Sequence, residues 1–229
     1  ISACLVGSEM CIRDRYNRIK VNYMKTKYFD WKNNVDESEL NKIKEILDND
    51  GVIIFPTDTV YGIACNYFSE KAIKKVFDIK KRPENKPINV LSNNLDKIKL
   101  VSKNINEKEK FLIDKYMPGA LTIILDKNEK VSDILTAGLD TIGVRIPKNN
   151  ISLRILENVS YPLATTSANI SGDSAGIKIT DFLKEFDGVV DAIIDGGETD
   201  LKVASTIVRV ESDNKLKIIR EGTLKIKEM

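Results

Sequence analysis

The feature that most restricts the fold is a repeated switch of hydrophobic period, from helical spacing to a short continuous apolar run and back. Between Ser38 and Asp48, Leu40, Ile43 and Leu47 share one helical face; Gly51 ends the pattern and Val52-Ile53-Ile54-Phe55 follows without a polar break. Such a run suits a strand buried on both faces by covering helices. A helix from Ser69 carries Ala72, Ile73, Val76 and Phe77 on one side. Further strands are expected at 88–91, 121–125, 141–146, 163–166, 192–194, 206–210 and 216–219, with helices near 107–116, 151–158 and 180–186. The expectation is an α/β chain: one domain with a twisted mixed β-sheet covered by helices. A length of 229 residues suits one domain, and 42% hydrophobic residues suit a globular core.

Composition removes several chemistries. The chain has no histidine, which excludes Ser-His and Cys-His nucleophile pairs, HExxH zinc sites and imidazole acid–base catalysis. Work must fall to Lys, Arg, hydroxyls and carboxylates. Cys4, Cys11 and Cys65 form no CxxC pair, which argues against a disulfide framework or zinc ribbon and fits a reducing cytoplasm. A net charge of +2 gives no bulk attraction to nucleic acid. No apolar run approaches the roughly 20 residues of a membrane span, so no membrane partner is expected. Residues 1–23 have no helical or strand period and resemble translated adapter sequence; they are expected to be a non-native or disordered leader, with the domain over 24–229. A signal peptide is the competing reading, opposed by its short apolar core.

Three polar segments follow apolar runs. Pro56-Thr57-Asp58-Thr59-Val60-Tyr61-Gly62 comes directly after the strand ending at Phe55, where ligands of open α/β sheets gather. Gly62 is expected to let the chain turn sharply there. An ordinary turn capped by its own side chains is the competing reading. Lys80-Lys81-Arg82-Pro83 closes the helix from Ser69; Lys80 and Arg82 are expected to aim a point charge and a planar fork at one polyphosphate, stiffened by Pro83 and Pro87. Solvated dipole partners at a helix end are the alternative. Thr165 to Gly172 stacks hydroxyls and an amide with small spacers, either an anion-binding nest or a plain loop. Thr141, Arg145, Ser205 and Arg220 lie on or beside other strands. No P-loop, GxGxxG or GxSxG is present.

Taken in order, these segments resemble the YrdC-like threonylcarbamoyl-AMP synthase family in its short single-domain form. The resemblance rests on PTDTVYG at Pro56–Gly62, the KxR pair at Lys80–Pro83, PGALT at Pro118–Thr122, GVRIP at Gly143–Pro147, SANISG at Ser167–Gly172 and STIV at Ser205–Val208, covering about residues 39–222. It implies that L-threonine and bicarbonate give a carbamate that attacks the α-phosphate of ATP and expels pyrophosphate. This is adenylyl transfer by a nucleotidyltransferase in the service of tRNA threonylcarbamoyladenosine modification. Mg2+ is implied as cofactor, held mainly through ATP phosphates and not by a protein metal site. Lys80 and Arg82 are implied as catalytic; Arg82, Lys86, Thr141, Ser167, Asn169 and Arg220 as ATP-binding; Thr59, Arg145, Thr165 and Ser205 as threonine-binding. Thr141 and Lys86 join on spacing alone. Implied partners are downstream threonylcarbamoyl-transfer proteins, with tRNA bound indirectly or weakly. The chain departs from the pattern at Lys86, Leu91 and Ala120, where asparagine, histidine and proline are common. Two other readings stand beside this one: a carbamoyl-adenylate-forming domain, and a non-enzymatic module binding structured RNA.

Overall fold

The computed structural model describes residues 25–226, so the expected leader lies outside the described residues. The strands are β1 (Lys27–Asp30), β2 (Ile53–Phe55), β3 (Gly62–Asn66), β4 (Asn89–Leu91), β5 (Leu121–Asp126), β6 (Thr141–Arg145), β7 (Leu163–Ser167), β8 (Ala192–Asp195), β9 (Thr206–Val210) and β10 (Leu216–Arg220). The helices are α1 (Glu37–Asp48), α2 (Glu70–Lys80), α3 (Leu95–Ile98), α4 (Glu107–Tyr116), α5 (Asp133–Thr136), α6 (Asn150–Asn158) and α7 (Leu183–Phe186), preceded by a 3-10 turn at Ile179–Asp181. All ten strands join one sheet in the order β1-β8-β2-β3-β7-β4-β6-β5-β9-β10. The pairs β1/β8, β8/β2, β4/β6 and β5/β9 are parallel and the rest antiparallel, so the sheet is mixed as expected.

Local chemistry fixes the helix ends. Asp36 caps α1 by accepting from Ser38 N, and Leu40, Ile43 and Leu47 are its buried face. Ser69 caps α2 by accepting from Ala72 N. The two helices pack behind β2 and β3, whose residues Ile53, Ile54, Ile63 and Ala64 are fully buried.

Four elements escaped the sequence reading. β1 buries only Phe29 of its four residues, too little for a pattern, and α3 and α5 are single turns. The fourth is β3, hidden by the expectation that Gly62 makes a sharp turn. Gly62 instead pairs with Phe55 and with Ser167 as an ordinary strand residue. Its lack of a side chain serves close approach: a Cβ there would stand 2.8 Å from Thr165 Cγ2. The helix expected over 180–186 breaks at Phe182 (φ −139°), whose buried ring packs 5.1 Å from that of Tyr61.

Candidate active site

A cleft of about 550 Å3 opens on one face of the sheet. Side chains two apart on a strand share a face, so residues of successive strands line up as a floor: the polar Thr165 on β7, Asn89 on β4, Arg145 on β6 and Thr122 on β5, with the apolar Ile207 on β9 at its edge. Two glycines keep that floor low. Gly62 leaves room for Thr165, and a Cβ on Gly143 would meet Asn89 Oδ1 at 2.1 Å. The walls come from the segment joining β2 to β3, from Arg82–Pro87, from the loop after β7, and from Ser205 and Arg220.

Asp58 and Arg145 organise one end. Arg145 Nη2 donates to Asp58 Oδ1 at 2.5 Å, Nη1 to Thr59 Oγ1 at 2.7 Å and Nε to the Gly119 carbonyl at 2.9 Å. Burial lowers the Arg145 pKa and is the largest effect; the Asp58 charge opposes it. Arg145, implied as threonine-binding, therefore already holds a carboxylate from the protein, which aims it and leaves only part of its donor set for a ligand. Thr59 Oγ1 also lies 3.0 Å from Thr57 Oγ1, and Thr57 donates to the Val60 carbonyl. The hydroxyls thus hold the turn, as the capped-turn reading expects, and also line the cleft.

Lys80 and Arg82 do not point the same way. Lys81 takes a left-handed conformation (φ 49°), with Lys81 N donating to Asp78 O and Arg82 N to Phe77 O, the double hydrogen bond that ends a helix in a Schellman motif. That turn sends Lys80 inward, 1% exposed, and Arg82 to the cleft wall. Arg82 donates to the carbonyls of Lys86 (3.0 Å) and Pro87 (2.7 Å), so its aim is fixed by the backbone of the segment that follows it. Lys80 Nζ instead donates to the Ser167 carbonyl, the Asn169 carbonyl (2.6 Å) and Asn169 Oδ1 (3.2 Å). Burial first, and the Arg82 charge second, push its pKa down to about 7. The expectation that both cations face one polyphosphate is corrected: Arg82 lines the cleft and Lys80 holds the loop beside it.

The same contacts correct the nest reading of that loop. Its carbonyls turn toward Lys80, while the amides of Ala168, Asn169 and Ser171 donate to Tyr61 O, Ser167 O and Lys80 O. Ser167 and Asn169 meet the cleft through side chains, joined by a 2.5 Å hydrogen bond from Ser167 Oγ to Asn169 Oδ1. At the far wall, Arg220 Nε and Nη2 both donate to the Ser205 carbonyl, and Ser205 Oγ lies 2.7 Å from Thr122 Oγ1. Burial lowers the pKa of Arg82 and of Arg220. Lys86 lines the cleft. Thr141 does not. It opens β6 opposite Asp126, four residues from Arg145, which at ~3.3 Å per strand residue places it about 13 Å from that end of the strand.

Asn89, Thr122 and Gly143 belong to the site but were not singled out. Each sits inside a strand, and only the cross-strand register shows which face it occupies. Asp58 was read as a ligand acceptor or a local cap and not as an ion-pair partner, because its cation lies 87 residues away.

The Sua5_yciO_yrdC family profile, described as telomere recombination, matches residues 45–222. The chain belongs to this family. Among its relatives, a threonylcarbamoyl-AMP synthase of Pyrococcus abyssi is 35% identical over 78% of this chain and 52% of its own length. A putative threonylcarbamoyl-AMP synthase of Methanocaldococcus jannaschii is 39% identical over 85% of this chain and 93% of its own. The chain thus spans about half of the first relative and nearly all of the second. The P. abyssi Sua5 structure complexed with L-threonine superposes with a TM-score of 0.84 at 32% identity, covering 87% of this chain and 58% of that one. Within the Sua5_yciO_yrdC match, all six sequence motifs contribute to the sheet or the cleft described above.

Proposed function

We propose that this protein is a threonylcarbamoyl-AMP synthase. The observation that carries the reading is one cleft, in a chain without histidine, lined together by Arg82, Lys86 and Arg220 and by Thr59, Thr165 and the Asp58-held Arg145. A carbamate is already anionic and needs no general base; an in-line displacement needs positioning and charge stabilisation, which fixed guanidinium groups supply. The carbamate of L-threonine attacks the α-phosphorus of ATP, an O–P bond forms, and the bond to the β-phosphate bridging oxygen breaks to release pyrophosphate. Arg82 and Arg220 balance phosphoryl charge, with Ser167, Asn169 and Lys86 beside the nucleotide. Thr59, Arg145, Thr165 and Ser205 border the amino acid. Lys80 acts by holding the Ser167–Asn169 turn.

Among the described residues no cluster of three or more carboxylates or thiols is built for a metal, and Asp173 is a carboxylate at the cleft wall. That donor set fits Mg2+ carried on ATP phosphates, where it would offset their charge. No described helix is long and apolar enough to cross a membrane. Cys65 is a free, buried thiol whose pKa burial pushes up to about 12, so it is an inert packing residue and no nucleophile for this reaction. Transfer of the product to tRNA would fall to partner proteins.

The test is mass spectrometry of threonylcarbamoyl-AMP from ATP, bicarbonate and L-threonine, with pyrophosphate release measured alongside. Threonine-stimulated product, lowered at least about a hundredfold in Arg82→Ala, is expected. Release indifferent to threonine but driven by carbamoyl phosphate would favour the carbamoyl-adenylate reading. No release, with salt-sensitive affinity for structured RNA, would favour the RNA-binding module.

A further inference from the structure

Asn89 lies on the cleft floor, and its amide is unspent. It pairs across the sheet with Thr165 on β7, and its side chain lies over Gly143 of β6. Thr122, Thr165 and Ser205 already hydrogen-bond within the protein, whereas no described residue bonds the Asn89 amide. Along its own segment it stands between Pro87, whose carbonyl anchors Arg82, and Leu91, the strand partner of Arg145. The two forks that flank it are suited to anionic groups. An amide edge is suited to a group that presents an acceptor and an N–H side by side.

We propose that Asn89 is a substrate-contacting residue that recognises the carbamate itself, distinguishing N-carboxy-threonine from free threonine. This rests on the function proposed above. The carbamate is the part of that substrate in which an N–H adjoins a carboxylate oxygen: Nδ2 donates to the oxygen and Oδ1 accepts from the N–H. Free threonine carries an ammonium there and offers no such edge. Gly143 makes the recognition possible, because any Cβ at that position displaces the amide.

The experiment is calorimetry of L-threonine binding with and without saturating bicarbonate, in wild type, Asn89→Ala, Gly143→Ala and the double variant. Wild type should bind threonine more tightly with bicarbonate. Each single variant should lose at least about tenfold of that tightening, the lower end for the hydrogen bond to the charged carbamate oxygen alone, while binding threonine alone within twofold of wild type. In the double variant the second change should add almost nothing, since both remove the same contact. Bicarbonate tightening that survives in Asn89→Ala overturns the inference and leaves the proposed function standing. Wild type that fails to bind threonine at all overturns both.

Discussion

The Asp58–Arg145 pair gives the sharpest quantitative test of the site. Both side chains are almost fully buried, at 5% and 7% exposure. Removing one partner of a buried pair costs roughly 3 to 5 kcal/mol, because the other charge stays without compensation. Asp58→Ala should fall at the low end, about 3 kcal/mol, for two reasons. Arg145 keeps its bonds to Thr59 and Gly119, and its flank on the cleft lets water reach it. The backbone amide of Lys148 also loses its 3.1 Å acceptor. In a chain of this size each kcal/mol moves the midpoint by roughly 2 to 4 °C, so calorimetry should record a fall of about 6 to 12 °C. Asp58→Asn keeps an acceptor for both donors and should fall less. Replacing both members by Leu and Met should restore most of the midpoint while leaving the proposed synthase activity lost, since packing substitutes for a buried pair but not for its aim. A fall below about 2 °C in Asp58→Ala would refute a desolvated pair and with it the claim that Asp58 positions the fork.

Two further outcomes follow. Lys80 binds its proton less tightly folded (about 7) than unfolded (ordinarily about 10.4), so its contribution to stability rises with pH through that interval, by at most about 1.4 kcal/mol per pH unit. The gap between wild type and Lys80→Met in urea unfolding should therefore widen from pH 7 to 9; a constant gap would show that the three oxygens around Nζ hold the proton at its usual affinity. Thr141→Val should leave kcat/KM for ATP within twofold, and a tenfold loss would put the nucleotide at the opposite end of β6 from Arg145.

Much of the fold was legible because burial imposes period. The strand β2 and the inner faces of α1 and α2 announce themselves by spacing alone. The location of the cleft was also legible, since the polar segments follow apolar runs. Pairing is where reading stopped. The neighbour of Asp58 in space is set by which strands adjoin, and nothing in PTDTVYG encodes that. The direction of Lys80 was likewise invisible: one left-handed residue, Lys81, separates two cations that the spacing alone would place together. Asn89 went unnoticed because it looks like an ordinary residue of a short strand until Gly143 is seen beneath it.

The order of the strands also governs how the molecule comes into being. β8 lies between β1 and β2, β7 between β3 and β4, and β9 beside β5, so early strands wait for late ones. The hydrogen bond from Thr26 to Val190 closes over 164 residues, and that from Thr199 to Thr59 over 140. Such non-local closure makes for slow assembly with edges left open in the growing chain. No fragment that ends before β10 contains Arg220, and so none has a whole pocket. A ligand of this cleft can hold the finished sheet together, but it arrives too late to guide its making.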